Sequence, residues 1–208
     1  MATASLVKAV PRAVWLDVRQ VAHRGLSAPR WAQRIWIDPR QCVHASVELD
    51  RGRRMSGQVH GGQWAVTPVE EVAKVQMAER HWRTGASWEE VGAYAHAMAH
   101  LDQLGARDGV HGLDDVVRRL AQLDAIFEQV RREGRVRTRA ELPGPSIREH
   151  RGVYVHLGPE AEPVFGNGGC HRLAMARVLD LPQIPAQLGV LHPDAIPSWR
   201  RLRAPADG

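Results

Sequence analysis

The chain has 208 residues, 44% of them hydrophobic and 25% charged, with a formal net charge of +5. This is the composition of an ordinary soluble globular protein, one domain with additions or two small ones. Two cysteines exclude a disulfide framework and fit a reducing cytoplasm, and no apolar run approaches the roughly 20 residues of a membrane helix.

Lys8 and Lys74 are the only lysines, so nearly all positive charge is arginine. Guanidinium suits phosphate recognition, but a GC-rich coding bias gives the same composition without a function. Residues 1–30 read as a weakly organised extension, with a short helix over 13–22 broken after Gly25. Arg34-Ile35-Trp36-Ile37-Asp38-Pro39 is a strand stopped by proline. Residues 41–49 suit a short helix and 50–62 a loop. Trp64 follows a Gly-Gly turn, where a tryptophan stacks on a ligand or anchors the loop to the core.

Thr67-Pro68-Val69-Glu70 has the form of a capped helix start, predicting a helix to about Arg83 that Gly85 ends. Ser87-Trp88-Glu89-Glu90 is a second capping box, predicting a helix to about Leu104 and, with the first, a helical hairpin. His96 and His100 have metal-pair spacing, but no glutamate follows His96 and no third ligand is evident, so no metal site is expected. After a linker over 105–112, Val116, Val117, Leu120, Leu123, Phe127 and Val130 have helical period, ending at Gly134. Residues 135–142 read as short, polar and extended.

Val153-Tyr154-Val155-His156-Leu157 is a strand, and Pro163-Val164-Phe165 is the second arm of a hairpin. That hairpin leads into Gly166-Asn167-Gly168-Gly169-Cys170-His171-Arg172 and a helix to about Leu179. A glycine turn at a helix start offers unpaired N–H groups and a positive dipole end to an anion. His171 and Arg172 add cationic donors there, and Cys170 adds a thiol whose pKa such a position lowers. A strand follows over 186–191, then a basic tail, 193–208, expected to fray.

Gly168-Gly169-Cys170-His171-Arg172 resembles the active-site motif of sulfiredoxins. The wider order, from strand and proline through helix and hairpin to a glycine–basic box and an Ile184-Pro185 strand, resembles the ParB/sulfiredoxin superfamily. The resemblance covers residues 34–44 and 114–192. It implies a compact α+β fold: a small mixed sheet with flanking helices, in one domain over 31–192, with residues 45–112 as a helical-hairpin insertion.

It also implies that the 166–172 turn holds nucleotide phosphates. Asn167, Gly168, Gly169, His171 and Arg172 would bind ATP or another nucleotide, with magnesium. Cys170, His171 and Arg172 would be the catalytic candidates. Asp38, Asp124 and Glu128 are candidates for the metal or a base, and Arg119, Gln122 and Gln129 for helix contacts to ATP.

Three readings stand open. The first is binding of a nucleotide or phosphorylated small molecule, with phosphoryl transfer or nucleotide hydrolysis as the reaction such a turn serves. The second is sulfiredoxin-like, ATP-dependent thiol repair through Cys170. The third is non-catalytic, ParB-like DNA binding through Arg131, Arg132, Arg135, Arg137 and Arg139 or through Arg200, Arg201 and Arg203. Only about 16 residues follow His192, too few for the helix-turn-helix of a partition protein, so nucleic acid is not the favoured partner. Fold alone does not choose among the three.

Overall fold

The computed structural model describes residues 2–46, 48–50, 53–104 and 110–205. The expected linker over 105–112, the loop over 50–62 and the end of the tail fall partly outside them. Its elements are α1 (Ala2–Arg24), β1 (Arg34–Ile37), β2 (His44–Ala45), β3 (Thr67–Pro68), α2 (Ala73–Thr84), α3 (Ala93–Leu104), α4 (Leu113–Glu133), β4 (Val153–Leu157), β5 (Pro163–Gly168), α5 (Cys170–Val178) and β6 (Ile184–Leu191). The protein is α+β: the described residues form a mixed six-stranded sheet in the order β1-β6-β4-β5-β2-β3, with five α-helices.

Every residue of β4 and β6 is buried, as their apolar runs require of central strands covered on both faces. β4 and β6 run parallel, and the β4–β5 hairpin is antiparallel. The hairpin register shifts between Tyr154 and Val155, which places Tyr154 opposite Gly168. β1 alternates, turning Ile35 and Ile37 into the core. The main core gathers these side chains with Phe165, Leu173, Met175, Phe127 and Leu120. A smaller cluster, Ala13, Leu16, Trp31 and Ala32, holds α1 to the body. Among the described residues no helix is long and apolar enough to cross a membrane.

Several elements differ from expectation. The N-terminal segment forms a continuous helix of 23 residues with Pro11 inside it. His44-Ala45, expected in a helix, pairs with β5 as a strand, because its backbone groups complete the sheet edge. Thr67-Pro68 continues that edge, so no threonine cap forms and α2 begins only at Ala73. The Ser87–Glu90 box does form, with Glu90 Oε2 accepting from Ser87 N at 2.7 Å and Ser87 Oγ from Glu90 N at 3.2 Å. It closes a turn, however, and α3 starts at Ala93.

α2 packs on α5 and α3 on α4, so the two do not stack along each other as a hairpin would. Thr138 and Glu141 box a short helical turn, Arg139–Glu141, where an extended segment was expected. The C-terminal segment also differs, because Trp199 is only 1% exposed and its helical turn packs on β1. α2, α4 and α5 end near the predicted positions, with Gly85 and Gly134 in the left-handed conformation that closes a helix.

Candidate functional site

The 166–172 turn lies where β5 runs into α5. Asn167 and Gly169 both have positive φ, 57° and 80°, and this bends the chain from strand to helix over two residues. Gly169 is the residue before α5, and no side chain caps the helix. The first intrahelical bond is Leu173 N to Gly169 O, 3.0 Å, which leaves the start of α5 as an anion-attracting end.

All three glycines have reasons inside the chain. A Cβ on Gly166 would stand 2.5 Å from the Tyr154 ring and 2.6 Å from His156 Nε2. On Gly168 it would meet Arg53 Nη2 at 2.2 Å, and on Gly169 the Val153 Cα at 2.9 Å. Glycines in such a turn also let a ligand approach the backbone closely. Here the chain itself makes the close approach, with strand β4 beneath and the Arg53 guanidinium above.

Arg53 is the residue that sequence reasoning missed. Its guanidinium lies 5.2 Å from the centre of the Tyr154 ring, and Nη1 donates to Gln187 Oε1 at 2.6 Å. The same oxygen accepts from Arg151 N at 3.0 Å, so one buried glutamine on β6 ties two arginines to the sheet. Asp50 fixes the loop that carries Arg53, accepting from Arg54 N, from Met55 N and from the Tyr154 hydroxyl. Burial is the main force lowering the Arg53 pKa, to about 10, and the charges of Arg172 and Arg151 add to it. At neutral pH the side chain remains cationic.

Arg172 Nη2 donates to Arg151 O at 2.8 Å. Its pKa is lowered by burial and then by Arg139. Arg53, Arg139, Arg151 and Arg172 therefore form one cationic neighbourhood around the start of α5. Glu149 partly offsets it. This carboxylate is fully buried, accepting from Arg34 Nε and from Arg139 N at 3.0 Å each, and burial raises its pKa. Two buried nitrogens in the same neighbourhood, Arg139 Nε and His150 Nδ1, have no hydrogen-bond partner among the described residues. Burial and the charges of Arg53, Arg151 and Arg139 push His150 down to about 4, so its ring is neutral at pH 7.

The Cys-His-Arg triplet does not act as one group. The Cys170 thiol is buried and contacts Asn167 Oδ1 at 3.5 Å. Burial raises its pKa, and the opposing charges of Lys74 and Arg53 do not reverse that. His171 leaves the arginines and faces α2 and α4, 6.4 Å edge-on from Trp88. Burial, then Lys74, Arg119 and Arg172, push it to about 4, so it too is neutral. Of the expected phosphate ligands, Asn167, Gly168, Gly169 and Arg172 sit together at the arginine side, and His171 does not.

The acids expected to serve a metal or a base are engaged elsewhere. Asp38 binds Arg40 through both oxygens at the end of β1. Asp124 accepts from His81, Trp82 and Trp88. Glu128 pairs with Arg131 on the outer face of α4. Arg119 lies beside His171, whereas Gln129 binds Glu133 within α4 and Gln122 is exposed. Trp64 packs edge-on against His156 and His192 at 6.1 and 5.7 Å, as a loop anchor does.

The arginines proposed for nucleic acid are mostly paired. Arg131, Arg135 and Arg137 each hold a glutamate. Arg200 binds Ser27, and Arg203 lies over the Trp199 ring. His96 and His100 stack at 6.3 Å, and the described residues hold no group of three or more His, Cys, Asp or Glu placed to bind a metal. Comparison with protein-family models, with curated proteins and with solved structures gives no match.

Proposed function

We propose that this chain is a ParB/sulfiredoxin-like α+β protein that binds a nucleotide or phosphorylated small molecule at the 166–172 turn. One observation carries the reading. Arg53, Arg139, Arg151 and Arg172, drawn from three separate stretches of sequence, converge on the uncapped start of α5. Like charges gathered at a positive helix end repel one another and cost stability. An anionic ligand turns that repulsion into binding, and guanidinium is the side chain best shaped to grip phosphate oxygens.

The orphaned Arg139 Nε and the arginine set fit a phosphate group. The carboxylates expected for magnesium do not fit it, being engaged with other partners. A bound nucleoside triphosphate would supply the transferable phosphoryl group. The chain's part is to hold it: Arg172 and Arg53 neutralise oxygens, the uncapped N–H groups at the start of α5 donate to them, and Gln187 fixes the Arg53 guanidinium. Cys170 takes no part in this reading, because a buried thiol held above its usual pKa is protonated at neutral pH.

Titration calorimetry with ATP, GTP and CTP, with and without magnesium, tests it. Binding of at least one nucleotide is expected. Arg172→Ala should weaken it at least tenfold, about 1.4 kcal/mol. Failure of all three to bind, or unchanged binding in Arg172→Ala, overturns the reading.

A further inference from the structure

Beside the start of α5, on the side of His171, lies a cavity of about 290 Å³. It is lined by α2, α3 and α4, is open on one side, and reaches His171 at the start of α5. This is the low end of the ~300–1,000 Å³ of small-ligand sites. It has room for about ten non-hydrogen atoms, taking ~30 Å³ for a water-sized group. Most of its wall is apolar, including Met77, Trp88 and Leu120.

The polar wall is one-sided. It consists of Lys74, Arg119, His96, His100 and His171, and among the described residues no carboxylate lines the cavity. Lys74, one of two lysines in an arginine-rich chain, is half-buried there. Its ammonium makes no hydrogen bond or ion pair with another described residue. A cation lining a largely apolar wall with no carboxylate opposite it is a ready partner for an anion. His96 and His171 do not add to the charge: burial and Lys74 lower both pKa values. As neutral rings each offers one N–H to an acceptor. Arg119 is exposed at the mouth, placed to draw an anion in.

We propose that this cavity binds a small carboxylic acid with an apolar body, its carboxylate on Lys74 and the His171 ring and its body against Met77, Trp88 and Leu120. One half-buried ammonium matches a monoanion. A bare inorganic anion would leave the apolar wall unfilled, and a neutral hydrocarbon would leave Lys74 unmatched. The site rests on the cavity alone and holds whether or not the turn binds a phosphate.

Sodium octanoate is a probe of the right size, with 1-octanol as the uncharged control and acetate as the headgroup alone. Calorimetry and thermal shift on the full chain should show octanoate binding at least tenfold tighter than either control. Lys74→Met keeps the aliphatic stem and should remove that advantage while leaving octanol binding as it was. Ala97→Phe, which fills the cavity, should abolish both. Octanoate no tighter than octanol on the unaltered protein overturns the proposal. So does undiminished octanoate binding by Lys74→Met or by a folded Ala97→Phe. A nucleotide titration keeps the two sites apart: Lys74→Met should bind nucleotide as the unaltered protein does, and an unaltered protein that binds nucleotide but not octanoate sinks this proposal and leaves the turn reading standing.

Discussion

Gly169→Ala tests the claim that the glycine turn is shaped by the chain's own packing. Gly169 has φ 80° and ψ 33°, a left-handed conformation in which a Cβ costs about 1–2 kcal/mol. The added methyl would also stand 2.9 Å from Val153 Cα and 3.2 Å from Gly152 O. Both are backbone at the start of β4, a strand paired on both sides that cannot retreat. Overpacking of that kind costs about 1–3 kcal/mol. The two together come to about 2–5 kcal/mol, a large part of the stability of an ordinary domain. In urea, with a slope of about 3 kcal/mol per molar for a chain at the upper end of the small-protein range, each 3 kcal/mol lowers the midpoint by about 1 M. Gly168→Ala is the internal control. Gly168 has no positive φ, and its nearest neighbour is the movable end of Arg53, although Tyr154 Cβ at 2.9 Å must also give way. Its cost should be about 1–2 kcal/mol, while displacement of Arg53 from Gln187 weakens nucleotide binding. A Gly168→Ala variant less stable than Gly169→Ala would refute the reasoning, as would a Gly169→Ala variant within about 0.5 kcal/mol of the unaltered protein.

Two further outcomes follow from buried titratable groups. His150, His156 and His171 are all held near 4, chiefly by burial, against an ordinary 6.5. The folded state therefore binds fewer protons than the unfolded chain between those values. Its stability is fully present above about pH 6.5 and falls as pH drops toward about 4. Urea midpoints should decline across that window, and His171→Gln should decline less steeply; a flat or rising profile in the unaltered protein contradicts neutral burial of these rings. Cys170 and Cys42 are buried, and burial pushes Cys42 to about 12 and raises Cys170. Native protein at pH 7 should resist iodoacetamide until denaturant is added. Rapid labelling of Cys170 in the native state, read by mass spectrometry, would restore the thiolate reading of that residue.

Local signals in the sequence located the α4, α5, β4 and β6 elements and the glycine turn. Each has a pattern that needs no distant partner: the helical period from Val116 to Val130, the largely apolar runs of central strands, Gly85 and Gly134 as helix stops. Long-range pairing overrode the rest. Thr67-Pro68 has every mark of a helix start, yet the open edge at His44-Ala45 takes it as a strand. Trp199 sits in a basic segment that looks destined to fray, yet its ring is among the most deeply buried in the protein. Arg53 gave no signal, because an arginine in a charged loop is unremarkable until Asp50, Gln187 and Tyr154 are seen to hold it over Gly168.

The same limit explains why Cys-His-Arg reads as a single motif and folds as two. An α-helix turns about 100° per residue, so neighbours on it face different surroundings. His171 faces the apolar cavity with Lys74 and Arg119, and Arg172 faces Arg139 and Arg151. Adjacency in sequence is informative about chemistry only when the backbone is extended around a ligand or when spacing matches the helical period; 171 and 172 satisfy neither. The partners that give each residue its character lie far away in sequence, at positions 74 and 119 for the histidine and at 53, 139 and 151 for the arginine. Because Arg172 does not line the cavity, Arg172→Ala should leave octanoate binding intact while it weakens nucleotide binding at least tenfold. Loss of both ligands from that one change would mean that the two faces of α5 are a single site after all.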